Sequence, residues 1–223
     1  MWLVVGLGNP GREYEDTRHN VGFKVVEALA DRADAGIFQK KFRARTARAT
    51  IGGQDVWLLK PETFMNLSGE SVGPATGFFK IPTSNVIVVH DDMDIELGSV
   101  KLKQGGGHGG HNGLRSLKAH LPDDGFLRVR VGVSRPPPQW DPADWVLSPF
   151  HREEEEALGR ALKEAAGAVS TILRQGMAKA MNRYNRTPKK RAKKPEDDNT
   201  GSAAKTDGAV EENEAKAERD TKS

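Results

Sequence analysis

Residues 4–20 read VVGLGNPGREYEDTRHN, and the interpretation of this stretch decides the fold. An apolar run at 2–5 predicts a buried strand, and the GLGNPG that follows satisfies the G-x-G-x-x-G pattern of a dinucleotide-binding turn. Such a turn needs a helix to open at the glycines, so that its amides and dipole meet a pyrophosphate. Here Pro10 and Gly11 lead into polar REYEDTRHN, with no apolar stripe before Val21. The helix starts about ten residues too late. The acidic residue expected roughly 20 positions on should close a second strand, whereas Glu27 and Asp31 fall inside the predicted helix. The glycine pattern does not make a nucleotide site. What it does must be read from Asn9, His19 and Asn20 in the same stretch.

Working outward, residues 21–33 place Val21, Val25, Val26, Leu29 and Ala33 at helical spacing. Two extended runs, 41–51 and 55–59, flank Gly52-Gly53 and predict a hairpin. A helix is expected over 64–79, although Gly73 and Pro74 fall inside it. Residues 86–89 (VIVV) are short, fully apolar and β-branched, as in a central strand covered on both faces. A strand at 100–103, a glycine-rich loop and a short helix at 114–121 follow. Residues 126–133 alternate apolar and basic side chains, predicting a strand with one wet face. Pro136-Pro137-Pro138 breaks the chain, and 153–184 predicts one long amphipathic helix with an acidic start. Strand–helix alternation of this kind implies an α/β fold: one domain, 1–186, with a twisted mixed β-sheet flanked by helices.

The chain has 223 residues and no cysteine, which excludes disulfides, thiolate metal sites and cysteine nucleophiles. No apolar stretch reaches the length of a membrane span, and Met1 runs into the first strand without a charged leader, so a cytoplasmic location is expected. The formal net charge of +3 resides in 1–186, with 25 basic against 22 acidic residues; 187–223 carries nine of each. That last segment has Val210 as its sole large aliphatic side chain and no aromatic, so it is expected to be disordered. Its five basic groups in 187–195 suit a weak hold on RNA, which the acidic 196–223 would oppose; the composition equally suits a passive solvated linker.

Four polar clusters fall at strand ends or in glycine-rich loops, where an open α/β sheet places its ligand site. They are Asn9, Tyr14, His19 and Asn20; Phe64, Met65, Asn66 and Ser68; His90 to Asp94; and the run Gly105 to Gly113 with His108, His111 and Asn112. Without cysteine the nucleophile is serine, threonine or water, and no G-x-S-x-G elbow is present. A histidine held by a carboxylate deprotonates water directly, and His19 with Asp91 supplies that pair. The amides of Asn9, Asn66 and Asn112 grip carbonyls. Singly, each group has a structural explanation: His19 a surface histidine, Asp91 and Asp92 a turn, the glycines a flexible loop. His108 and His111 would be the ligands of a metal site, but flexible glycines give them no rigid face.

Taken together, VGLGNPGREYEDTRHNVGF, KPETFMNLSGESV, VVHDDMDIELGSVKLKQGGGHGGHNGLRS and FLRVRVGVSRP closely resemble, in this order and spacing, the bacterial-type peptidyl-tRNA hydrolases. The resemblance spans 2–186 and leaves out the tail. It implies a monomeric α/β enzyme that cleaves the ester between a peptide and the 3′ ribose of tRNA, freeing peptides dropped by stalled ribosomes and recycling the tRNA. By the same resemblance His19 is the base and Asp91 the acid that holds it. Tyr14, Phe64, Asn66 and Asn112 contact the substrate's 3′ end, and Asn9 selects peptidyl over free aminoacyl esters. His111 supports the water or substrate, and Lys103 and Arg130 meet tRNA phosphates. The chemistry agrees: an ester is already an activated acyl group, so one imidazole, a carboxylate and amide donors suffice without metal or cofactor. A non-catalytic RNA-binding module is the alternative; it would leave the His19–Asp91 pair without purpose.

Overall fold

The two apolar runs expected to be strands are neighbours and form the middle of one sheet. In the computed structural model, which describes residues 1–186, β1 (Trp2–Gly6) lies between two parallel partners, β4 (Gln54–Pro61) and β5 (Val86–Asp92). Beyond β4 come antiparallel β3 (Ala44–Ile51) and a short edge strand, β2 (Gln39–Lys41). Beyond β5 come parallel β7 (Leu127–Gly132) and antiparallel β6 (Val100–Gln104). The order is β2-β3-β4-β1-β5-β7-β6, a mixed sheet. The expectation of a disordered tail at 187–223 lies outside the described residues.

Alternation along β5 shows why its sequence is apolar throughout. Ile87 and Val89 join Val4 under α1 (Val21–Arg32), α5 (Glu155–Gln175) and α6 (Met177–Tyr184). Val86 and Val88 join Leu3 and Val5 under α2 (Gly69–Phe79) and α3 (Asn112–His120) on the other face. Both faces are covered, so no position on the strand is free to be polar until His90.

The glycines of the opening stretch serve close packing. A Cβ on Gly6 would stand 2.2 Å from the Gly22 carbonyl oxygen, and one on Gly22 would stand 2.5 Å from the carbonyl oxygens of Leu7 and Val89. Helix α1 begins at Val21 and rests directly on the ends of β1 and β5. That approach fixes the 3₁₀ turn Arg18–Asn20, which immediately precedes α1. Because β1 has parallel neighbours whose connections run to opposite faces, its C-terminal end is the switch point of the sheet and opens a crevice there.

Several boundaries differ from expectation, each for a physical reason. The predicted helix at 64–79 is a 3₁₀ turn, Met65–Leu67, followed by α2, which carries Pro74 internally. The long C-terminal helix is two, broken at Gly176, whose φ of 84° lies in the region that favours glycine. β7 has no wet face at Arg128: the glycine-rich loop covers it there, the Gly106 and Gly107 carbonyl oxygens accept from the guanidinium, and the side chain is buried. A short helix not expected from the sequence, α4 (Pro142–Leu147), follows the prolines; Asp141 caps it by accepting from the Ala143 N–H at 2.7 Å, with Pro142 in its first turn.

Candidate active site

The crevice at the switch point is a cavity of about 1010 Å³, lined by the segments that follow β1 and β4 and by residues of β5, β6, β7, α3 and α4. The loop after β1 brings Asn9, the 3₁₀ turn before α1 brings His19, and the end of β5 brings His90, Asp91 and Asp92. β6 leaves the sheet at its opposite end, and the glycine-rich loop returns the chain to His111 at the start of α3.

His19 and His111 converge on one oxygen. His19 Nδ1 lies 2.8 Å from Asp91 Oδ1, and His111 Nε2 lies 3.0 Å from the same atom. Asp91 is 3% exposed, so these hydrogen bonds stand in for water. Burial disfavours its charge, but the attraction and hydrogen bonds of His19 and His111 prevail and hold its pKa well below the usual carboxylate range. A carboxylate only accepts, so both facing nitrogens carry protons. His19 therefore has its proton on Nδ1 and an unprotonated Nε2, the tautomer a general base requires. Burial opposes the imidazolium here too, yet the Asp91 charge and hydrogen bond outweigh it and raise the His19 pKa above the ordinary 6.5.

His111 has a second commitment. Its Nδ1 accepts from the N–H groups of Gly113 (3.1 Å) and Leu114 (3.4 Å), capping α3. Both nitrogens are thus engaged, one with Asp91 and the other with the amides that open α3. This also bears on metal binding, because His19, Asp91 and His111 form a grouping whose ligand atoms lie within 4.8 Å of one another. A cation on His111 Nε2 would displace the ring's one proton while two N–H groups still point at Nδ1. The usual metal-bound histidine does the reverse, donating from its second nitrogen. His108, the other histidine considered as a ligand, is outside this grouping.

Beneath them, His90 packs edge-on to His111 with ring centroids 5.0 Å apart. Burial pushes its pKa down to about 3, with His111 acting in the same direction, so it is neutral. Its Nδ1 donates to the Asp91 carbonyl at 2.6 Å.

Asn9 is locked from three sides. Its N–H donates to Asn20 Oδ1 (2.8 Å), Asn20 Nδ2 donates to its carbonyl (2.9 Å), and its own Oδ1 accepts from the Met65 N–H (2.8 Å). The group Asn9 offers to the cavity is therefore its NH₂, a pure donor. Asn112 is similar, because its Oδ1 is taken by the Arg115 guanidinium. Phe64, 55% exposed, and Asn66 line the same wall. Tyr14 does not line the cavity; it packs edge-on against Phe64 at 6.5 Å.

The far part of the cavity is cationic. Lys103 pairs in register with Arg128, and Arg130 lies two residues on, so these three side chains share the face that lines the cavity, while Lys101 donates to the Asn185 and Arg186 carbonyl oxygens. Arg130 is held by Asp92 (2.7 Å), whereas Arg128 reaches the carbonyl oxygens of Gly106 and Gly107 (2.6 Å each) and pins the glycine-rich loop. Burial lowers the Arg128 pKa. Sequence reasoning passed over Arg128, Arg115 and the Asn20 lock. All three depend on contacts across the fold, and only the alternation in 126–133 hinted at the first.

A buried imidazole–carboxylate pair, two amide donors and a cationic extension at a switch point define a hydrolytic enzyme for an activated acyl bond on a polyanion. The comparisons agree. The peptidyl-tRNA hydrolase family model matches residues 3–194. The peptidyl-tRNA hydrolase of Anaeromyxobacter dehalogenans strain 2CP-C is 52% identical over 186 residues, 83% of this chain and 97% of that one. That of Sorangium cellulosum is 51% identical over 191 residues, 85% and 86% of the two chains. The crystal structure of the Acinetobacter baumannii enzyme aligns with a TM-score of 0.77 at 41% identity, covering 83% of this chain and 94% of that one. This chain belongs to the peptidyl-tRNA hydrolase family.

Proposed function

We propose that the chain hydrolyses the ester joining a peptide to the 3′ ribose of tRNA, with residues 1–186 as the catalytic domain. The observation that carries this reading is the single Asp91 oxygen accepting from both His19 and His111, beside an Asn9 that offers only donors. His19 Nε2 takes a proton from water as the water oxygen attacks the ester carbonyl carbon. The carbonyl oxygen gains negative charge and meets the NH₂ groups of Asn9 and Asn112. When the tetrahedral species collapses, the bond to the ribose 3′ oxygen breaks, and that oxygen takes the proton back from His19. Protons and electrons balance without a cofactor or metal.

Donor-only amides also account for substrate choice. A peptidyl ester carries an acyl carbonyl at its α-nitrogen, an acceptor for NH₂. A free aminoacyl ester carries an ammonium there, a donor, which finds no partner on Asn9 and leaves a polar group unmatched. Asn66 and Phe64 hold the 3′ end, with Tyr14 supporting Phe64, while Lys103 and Arg130 meet phosphates. The setting is the cytoplasm, where peptidyl-tRNA arises, and the chain acts as a monomer. Among the described residues, no helix is long and apolar enough to cross a membrane.

The test is release of the acyl group from N-acetyl-aminoacyl-tRNA, with free aminoacyl-tRNA as control and a chelator-treated arm on a short CCA-ended substrate. Cleavage of the blocked ester alone, undiminished by chelation, is expected. Loss restored specifically by zinc would return the metal reading, and binding without cleavage would leave an RNA-binding module.

The cationic face gives a second expectation. Lys103→Ala and Arg130→Ala should raise KM on full-length substrate, with roughly one unit less salt slope per lost contact and little change in turnover at saturation. Arg130→Ala should be the more damaging, because it also leaves the Asp92 carboxylate unneutralised on a phosphate-binding surface. Equal losses on a substrate lacking the tRNA body would contradict the assignment.

A further inference from the structure

Arg18, the residue before the base, is the largest of the fully buried side chains among the described residues. Its guanidinium donates to both carboxylate oxygens of Glu154, at 3.0 and 2.7 Å. The same plane lies 3.8 Å from the ring centroid of Trp145 and 4.9 Å from that of Phe150. Its backbone N–H donates to the Ser148 carbonyl at 3.0 Å, and Thr17 bridges Pro149. One side chain thus joins the turn that carries His19, the helix α4 that lines the cavity through Val146 and Leu147, and the turn that leads into α5.

A six-residue helix is not stable alone, so α4 takes its position from such contacts. Trp145 is fixed at its other side by its indole N–H, which donates to the Ser134 carbonyl at 2.8 Å. A planar guanidinium stacked on a ring and forked onto a carboxylate constrains direction as well as distance, which an ammonium cannot do.

We propose that Arg18 is a positioning residue for the hydrolytic reaction: it holds the His19 imidazole in register with the α4 wall, so that base and bound ester keep one geometry. This rests on the hydrolytic reading above. Its mechanical basis is that a base displaced by a fraction of an ångström loses the near-attack arrangement while substrate still binds.

The test uses the full chain, with Arg18→Lys, Trp145→Ala, Trp145→Phe and the double variant R18K/W145A. Each is assayed on a short CCA-ended N-acyl-aminoacyl ester, at a temperature where circular dichroism shows it folded. R18K and W145A should each lower kcat about tenfold with KM held within about twofold. The double variant should fall no further than the worse single, because the two groups act as a unit. W145F, which keeps a ring under the guanidinium, should lose less than W145A. Wild-type kcat in folded R18K, multiplying losses in the double variant, or a loss confined to KM would each overturn the proposal. Should R18K not fold, equal kcat for W145F and W145A overturns it. An inactive wild-type chain would instead defeat the hydrolytic reading, an outcome that none of these variants can mimic.

Discussion

Replacing His19 by alanine should lower turnover at least ~100-fold, the effect of removing a positioned general base, with the fold intact. The side chain lines the cavity and packs against the His111 ring, with centroids 5.0 Å apart, so its loss enlarges space that is already open rather than emptying the core. It does leave Asp91 with one donor instead of two on Oδ1. A modest loss of stability is therefore expected alongside the loss of rate, and unfolding in denaturant should show it. KM should change little, since Asn9, Asn66 and the cationic face remain. Near-normal turnover in folded His19→Ala would mean that another group activates the water. Circular dichroism with single-turnover hydrolysis of N-acetyl-aminoacyl-tRNA separates these results.

The central strands were legible because burial on two faces leaves a run such as VIVV no alternative, and the parallel pairing of β1 and β5 follows from it. The lateness of α1 was legible for the same kind of reason: REYEDTRHN has no apolar stripe to bury. What stayed hidden depended on neighbours. Arg128 looked solvated because alternation reports a face and not what covers it; the covering loop is glycine-rich backbone, whose carbonyl oxygens are invisible as chemistry in a sequence. The break at Gly176 was hidden because the apolar stripe continues across it into α6. Helix α4 was announced by Asp141-Pro142 but masked by three prolines just before it.

The site shows a sharper division. Residue types and their order pointed to His19 and Asp91, but not to the direction of any hydrogen bond. His111 was expected to touch water or substrate. Its two nitrogens are spent on Asp91 and on the amides of α3, a result fixed by helix capping. Asn9 was expected to grip a carbonyl, but the sequence could not say which of its side-chain atoms would be free to do so. The Met65 N–H removes the acceptor, and the remaining donor is what separates an acyl carbonyl from an ammonium.

Asp91→Asn should give a different signature from His19→Ala, in pH as much as in rate. The base works only when neutral, so the rate should fall as pH drops through the His19 pKa. In the wild type that midpoint lies above 6.5, because the Asp91 charge and hydrogen bond overcome the effect of burial. An asparagine removes the charge and leaves burial in place, which by itself favours neutral imidazole. The acid limb should therefore move down, to the ordinary histidine value of about 6.5 or below. At low pH this partly protects the variant, since more of its His19 is in the working form. At the plateau the variant should still be slower, by about 10- to 100-fold, because a neutral amide neither fixes the Nδ1–H tautomer as firmly nor stabilises the imidazolium formed as water is deprotonated. The amide can also turn its NH₂ toward His19 and His111, setting donors against donors. A pH–rate profile of single-turnover hydrolysis decides the matter. An acid limb that stays in place, or shifts upward, would show that Asp91 does not set the basicity of His19.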